Sequence, residues 1–234
     1  WFIAIHLLTS TKKSFSAAEL QRQLGHKRYE PIWTLLHKLR EIMGKRDEMY
    51  SLSGVIELDE GFFSTETPDD EKKKPLKRGR GSQKKSKVLV MAESQPVEGQ
   101  TTKSGKPRQV GHIKMIVIND LKSETITSLA ENNITKESTI DSDDSTSYVK
   151  LKDIVKEHRP QVIPKDELGK VLPWVHIAIS NAKRMLLDIY HDIKPEYLQN
   201  YLNEYCYKFN RRYFGENLFD RLMIASVTYK NQFR

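Results

Sequence analysis

Cys206 is the single cysteine among 234 residues. It excludes an intramolecular disulfide framework and any multi-cysteine zinc module within this stretch. No apolar run approaches the roughly 20 residues needed to cross a bilayer. Residues 1–8 are too few, and lack the preceding basic segment, to make a secretory signal. No initiator methionine opens the chain, so residues upstream of Trp1 are expected. These absences fit a cytoplasmic protein with no membrane partner.

Charge is what the sequence has in quantity. Charged residues make up 30% and hydrophobic residues 38%, and the net charge is +8. The isoelectric point is about 9.3. Such a balance points to a polyanionic partner, with nucleic acid first in line. The length allows one large domain, or a small one beside a medium one.

The organising stretch is GVIELDEGFF, residues 54–63. Alternation along a strand puts Ile56 and Leu58 on one side and Glu57 and Asp59 on the other. Carboxylates held on a strand are well placed for a metal site, because strands position side chains better than loops do. An edge strand with a solvated acidic face would show the same pattern.

Residues 1–50 read as helical. Ser16 and Glu19 form a capping box, and the short helix after them should end near Gly25. A longer helix is expected from about Glu30, ending at Gly44, with Ile32, Leu35, Leu36, Leu39, Ile42 and Met43 as its apolar stripe. Short helix, turn and longer helix resemble a helix-turn-helix, whose His37, Lys38, Arg40 and Lys45 could meet phosphate. A plain helical hairpin explains the same pattern. Residues 64–84 read as a linker, continuing into a basic run over 72–87. Lys72, Lys73, Lys74, Lys77, Arg78, Arg80, Lys84 and Lys85 make it a phosphate-seeking arm whose binding should weaken with salt. Strands are expected at 88–93 and 112–119, joined by a loop over 95–108 and forming a three-stranded antiparallel meander with the first strand. A helix follows over 123–133, a strand over 138–143 that ends in carboxylates, a helix over 146–158 and a short strand at 161–164. Two helices then cover 171–191 and the stretch from Pro195. Arg211 and Arg212 add basic charge near the end, as further DNA contacts.

A meander followed by helix, strand, helix, strand, helix is the element order of the α/β ribonuclease H-like fold. The likeness goes further in four blocks: GVIELDEGFF around Asp59, DSDDSTSY ending at Tyr148, LPWVHIAISNAKRMLLDIYH from Leu172, and YLNEYCYKFNRR from Tyr201 to Arg212. On these blocks the chain resembles bacterial insertion-sequence transposases of the DDE superfamily, in the ISXO-like group. The resemblance implies a DNA-binding segment over 1–50 and a catalytic domain over 51–234. It also implies DNA cleavage and strand transfer at the element's terminal repeats and into target DNA, on a divalent metal, Mg²⁺ or Mn²⁺. A homo-oligomer on DNA and a cytoplasmic, nucleoid-associated location come with it. Asp59 matches the first catalytic and metal-binding carboxylate. Asp143 matches the second by its spacing to Tyr148, with Asp141 as fallback and Asp144 as a helix cap. His176 falls where most relatives carry Glu, with Asn181 a weaker candidate. A nuclease without strand transfer, or a DNA-binding derivative without activity, would share much of this pattern.

Overall fold

The computed structural model describes residues 1–69, 71–97, 107–162, 171–230 and 232–233. The chain divides into two compact units, Tyr50–Asn181 and the pair Trp1–Met49 with Ala182–Arg234.

The first unit is built on a five-stranded sheet: β1 (Val55–Ser64), β2 (Lys85–Pro96), β3 (Arg108–Ile118), β4 (Thr139–Asp143) and β5 (Glu157–Gln161). The order is β3-β2-β1-β4-β5. The β1–β2 and β2–β3 pairs are antiparallel, and the β1–β4 and β4–β5 pairs are parallel. This is the ribonuclease H-like mixed sheet expected from the order of elements. Its central strand is β1, whose Ile56 and Leu58 face a core shared with Ile126 and Ala130 of α4 (Ser123–Asn133) and with Tyr148 and Leu151 of a 3-10 helix at Thr146–Asp153.

The details differ from the sequence reading at several points. β2 and β3 run further into their connecting loop, whose residues 98–106 lie outside the described ones. The helix expected over 146–158 is a 3-10 helix ending at Asp153, and β5 begins at Glu157. Pro160 is tolerated there because β5 is an edge strand. His158 is fixed by a 2.8 Å bond between its Nε2 and the Ser142 hydroxyl. Ile163 and Pro164 lie outside the described residues.

The second unit is helical. α1 (Phe2–Ser10), α2 (Ala17–Leu24) and α3 (Tyr29–Glu48) group with α6 (Pro195–Asn210), α7 (Asn217–Thr228) and the later part of α5 (Pro173–Ile189). The capping box holds: the Ser16 side chain accepts the Glu19 N–H, and Gly25 closes α2 in the left-handed conformation at φ 62°. Gly44 does not end α3. A Cβ there would lie 2.3 Å from the Asn203 amide of α6, so this glycine permits a close helix–helix approach. The sequence reading drew a catalytic domain over 51–234; within the fold, residues 182–234 group with the N-terminal helices. Their side chains explain why. Arg40 of α3 donates to Glu204 of α6 at 2.9 Å, with both groups buried. Arg211 Nη1 lies 2.6 Å from Asp47, again across α3 and the end of α6.

That packing also removes two phosphate contacts suggested for α3. His37 and Arg40 are 0% and 1% exposed. Lys45 pairs with Glu41 at 2.9 Å. Lys38, the fourth suggested contact, is half-buried.

Candidate active site

Parallel pairing aligns Glu57 with Asp141 and Leu58 with Ser142. Register partners in a parallel ladder point to the same face. Glu57 and Asp141 therefore share a face, and one step further along the same strands Asp59 and Asp143 share it too. It is the face opposite Ile56, Leu58 and the core. The start of α5 covers it, meeting successive odd positions of β1 in order. Trp174 and Val175 N–H groups donate to Glu57 Oε2 at 2.7 and 3.1 Å. His176 Nδ1 stands 3.8 Å from Asp59 Oδ2. At Gly61 a Cβ would come within 3.3 Å of Ile179, so the glycine lets the helix lie close.

Burial sets the protonation of these groups. It pushes Glu57 up to about 7, against the two N–H bonds, with Asp141 pushing the same way and Arg108 opposing. It also raises Asp141, whose buried Oδ1 has no hydrogen-bond partner among the described residues. His176 is held below its ordinary value by burial, and among the described residues its buried Nε2 has no partner. At neutral pH the ring is therefore the neutral imidazole, the form that ligates metals. A separation of 3.8 Å is too long for a hydrogen bond, so carboxylate and ring stand as two donors side by side.

Asp143 is turned partly to local use. Its Oδ1 accepts the Ser145 N–H at 3.2 Å. The 3-10 helix after it is capped by Ser145, not by Asp144 as the sequence suggested. Beyond the last β1–β4 pair, the buried Tyr148 hydroxyl donates to Glu60 and ties the segment after Asp143 back to β1. Among the described residues, no three His, Cys, Asp or Glu side chains converge into a metal cluster.

The family model of the ISXO2-like transposase domain matches residues 51–210. The chain belongs to this family. In this transposase domain Glu57, Asp59, Asp141, Asp143 and His176 all fall within the matched segment. The chain is also similar in fold to a chain of the Mos1 strand transfer complex, with 12% identity, 97% of this chain and 77% of that chain covered, and a TM-score of 0.39. For a chain of a pre-cleavage Mos1 transpososome the figures are 9%, 93%, 80% and 0.33. No curated protein matches. Among the described residues, no helix of the transposase domain or beyond it is long and apolar enough to cross a membrane.

The suggested DNA contacts separate into three groups. Lys73, Lys77, Arg78 and Lys84 are exposed on the loop between β1 and β2, and Lys85 is exposed at the first position of β2. That loop is more ordered than its composition suggests, because the Gln83 side chain accepts from the Lys77 N–H and donates to the Pro75 carbonyl, both at 2.9 Å. Lys72 and Lys74 are also exposed but pair with Asp69 and Glu71 of the same loop, at 2.6 and 3.7 Å. The Arg80 side chain lies outside the described residues. The third group corrects the sequence reading: Arg211 is 6% exposed, paired with Asp47 and stacked 3.8 Å from the Tyr207 ring centroid. Its charge is spent inside the protein. Arg212 is half-buried and lies over Phe209 and Tyr213.

Two features escaped the sequence reading. The donation from α5 to Glu57 needed the tertiary fold to be seen. The pairing of Arg211 with Asp47 joins residues remote in the chain, and no local pattern announces it.

Proposed function

We propose that the chain is a DDE-type transposase that nicks DNA at the ends of its element and joins the freed 3′-hydroxyl to target DNA. One observation carries the reading. In a domain of a transposase family, Glu57 of β1 pairs in parallel with Asp141 of β4, strand alternation carries Asp59 and Asp143 to that same face, and the His176 imidazole of a late helix stands 3.8 Å from Asp59.

The donor set suits a divalent cation. Two carboxylates match Mg²⁺ or Mn²⁺, and the neutral imidazole shifts the preference toward Mn²⁺. Among the described residues, His176 Nε2 has no hydrogen-bond partner, which supports a ring available to a metal. Asp59, Asp143 and His176 would hold the metal, which supplies Lewis-acid activation of a water or 3′-hydroxyl and neutralises the leaving oxygen. The chain's own part is positioning and charge. β1 and β4 fix the carboxylates, and α5 excludes water from one side and holds the ring. Lys73, Lys77, Arg78, Lys84 and Lys85 draw the phosphate backbone in. Element ends, target DNA and a second copy of the chain are the partners, and the work takes place on the chromosome in the cytoplasm.

Incubation of the purified chain with a pre-cut duplex bearing its element's terminal repeats, a supercoiled target plasmid and Mg²⁺ or Mn²⁺ tests this. Joined products are expected, and none with Asp59→Asn. Cleavage of uncut ends without joining of pre-cut ends would make it a nuclease. A second reading, a DNA-binding derivative that no longer cuts, draws on the lack of a converged three-ligand cluster among the described residues. No cleavage at any concentration of either metal would establish it.

A further inference from the structure

Glu57 is the most deeply buried acid on the acidic face of β1, at 5% exposure. The proposed chemistry gives it no task. Its Oε2 accepts two backbone N–H groups from the first turn of α5, from Trp174 at 2.7 Å and Val175 at 3.1 Å. The next residue of α5 is His176, and the next residue of β1 on the same face is Asp59. From these contacts we infer that Glu57 is a positioning residue: it clamps the start of α5 onto β1 and so sets the separation of the His176 ring from the Asp59 carboxylate. This rests on the reading that Asp59 and His176 work together.

The physical case has three parts. First, the free N–H groups at a helix start need acceptors, and a carboxylate there also meets the positive end of the helix dipole. Here the acceptor comes from the strand that carries the acid, not from a residue preceding the helix. Second, the lever is short. Val175 and His176 are adjacent, and only Leu58 separates Glu57 from Asp59, so little play remains between clamp and site. Third, little else fixes the ring. Among the described residues, His176 Nε2 has no hydrogen-bond partner, and its Nδ1 lies beyond hydrogen-bond reach of Asp59. A ring without its own anchor takes its place from its backbone. Gly61 against Ile179 assists from below by letting the helix approach, but supplies no directional bond.

The test compares Glu57→Ala, which removes the acceptor, with Glu57→Gln, whose amide oxygen still accepts both N–H groups without charge. Three quantities are read on the whole chain. They are amide hydrogen exchange at Trp174 and Val175, the imidazole ¹⁵N shifts of His176 (assigned by their loss in His176→Gln), and strand transfer per folded molecule alongside DNA affinity. Glu57→Ala should speed exchange at both amides and move the His176 shifts. It should lower strand transfer by about 10- to 100-fold, the range seen when groups that orient active ligands are removed, with DNA affinity within about twofold. Glu57→Gln should recover most of the loss. Unchanged His176 shifts in Glu57→Ala, or an unchanged rate per folded molecule, overturn the inference. If the wild-type chain joins no DNA in either metal, the proposed function fails on its own account. The clamp is then judged by the exchange rates and imidazole shifts alone.

Discussion

The Arg40–Glu204 pair of the helical unit and the acidic face of the sheet unit both bury ionisable groups, and they treat them in opposite ways. In the pair, buried charges are matched. Burial alone would raise Glu204, yet Lys208 and Arg40 hold it below the ordinary carboxylate range. Arg40 is held above its usual value, despite burial, by Tyr190, Glu204 and Tyr201. In the sheet unit the acidic face is unmatched. Glu57 and Asp141 are pushed up and His176 is pushed down, each toward its neutral form and each chiefly by burial. Matched charges suit a structural role, while unmatched groups on a covered face are what a candidate site presents.

The sharpest way to break that contrast is to neutralise one member of each class. Asp59→Asn should lower strand transfer by at least about 10³-fold while leaving stability unchanged or slightly raised, since a like charge leaves the face. Gel assays and thermal melting read the two effects. Arg40→Ala should do the reverse. It strands Glu204 in the interior and should cost about 3–5 kcal/mol of stability by urea denaturation. Replacing both partners, as Arg40→Met with Glu204→Leu, should return most of that loss. If Arg40→Ala melts like the wild type, the buried pair is not what holds α3 to α6.

The loop between β1 and β2 gives the next effect in size. Changing Lys73, Lys77, Arg78, Lys84 and Lys85 to Gln should flatten the dependence of log affinity on log salt by as much as about 4–5 units. Arg211→Gln should leave that slope unchanged and instead lower stability, because Asp47 loses its partner. A change of slope in Arg211→Gln would return Arg211 to the DNA surface.

His37 supplies a pH test within the helical unit. Burial, helped by Arg40 and opposed by Glu204, pushes it down to about 3. A base with a lowered folded-state pKa binds its proton more weakly when folded. Its contribution is whole above the unfolded value near 6.5 and is lost as pH falls toward 3. His37→Phe should flatten the loss of stability over that window, followed by urea melts at several pH values. Smallest of all, Tyr148→Phe removes one bond to Glu60 and should cost about 1 kcal/mol.

Much of the sheet was legible because its signals are local and periodic. Alternation alone put Glu57 and Asp59 opposite Ile56 and Leu58, and the structure keeps that division. The order of elements carried the strand arrangement, and α4 came out over the residues assigned to it. The misreadings share one cause. Gly44 carries the residue type of a helix end, but its role is set by Asn203, which lies in another helix. Arg40 and Arg211 look like surface cations until Glu204 and Asp47 are seen beside them. Glu57 showed its face in the sequence but not its partners, because the N–H groups it accepts belong to a helix more than a hundred residues later. Period and composition report what a residue is near in sequence, and these roles depend on what it is near in space.

The central claim is that Asp59, Asp143 and His176 share one cation. Anomalous diffraction from crystals of the chain grown with Mn²⁺ tests it most directly. The account predicts a manganese peak ligated by Asp59 and Asp143 with a ring nitrogen of His176 in contact. A manganese ion held instead by Glu57 and Asp141, or none at Asp59 at millimolar metal, would contradict it.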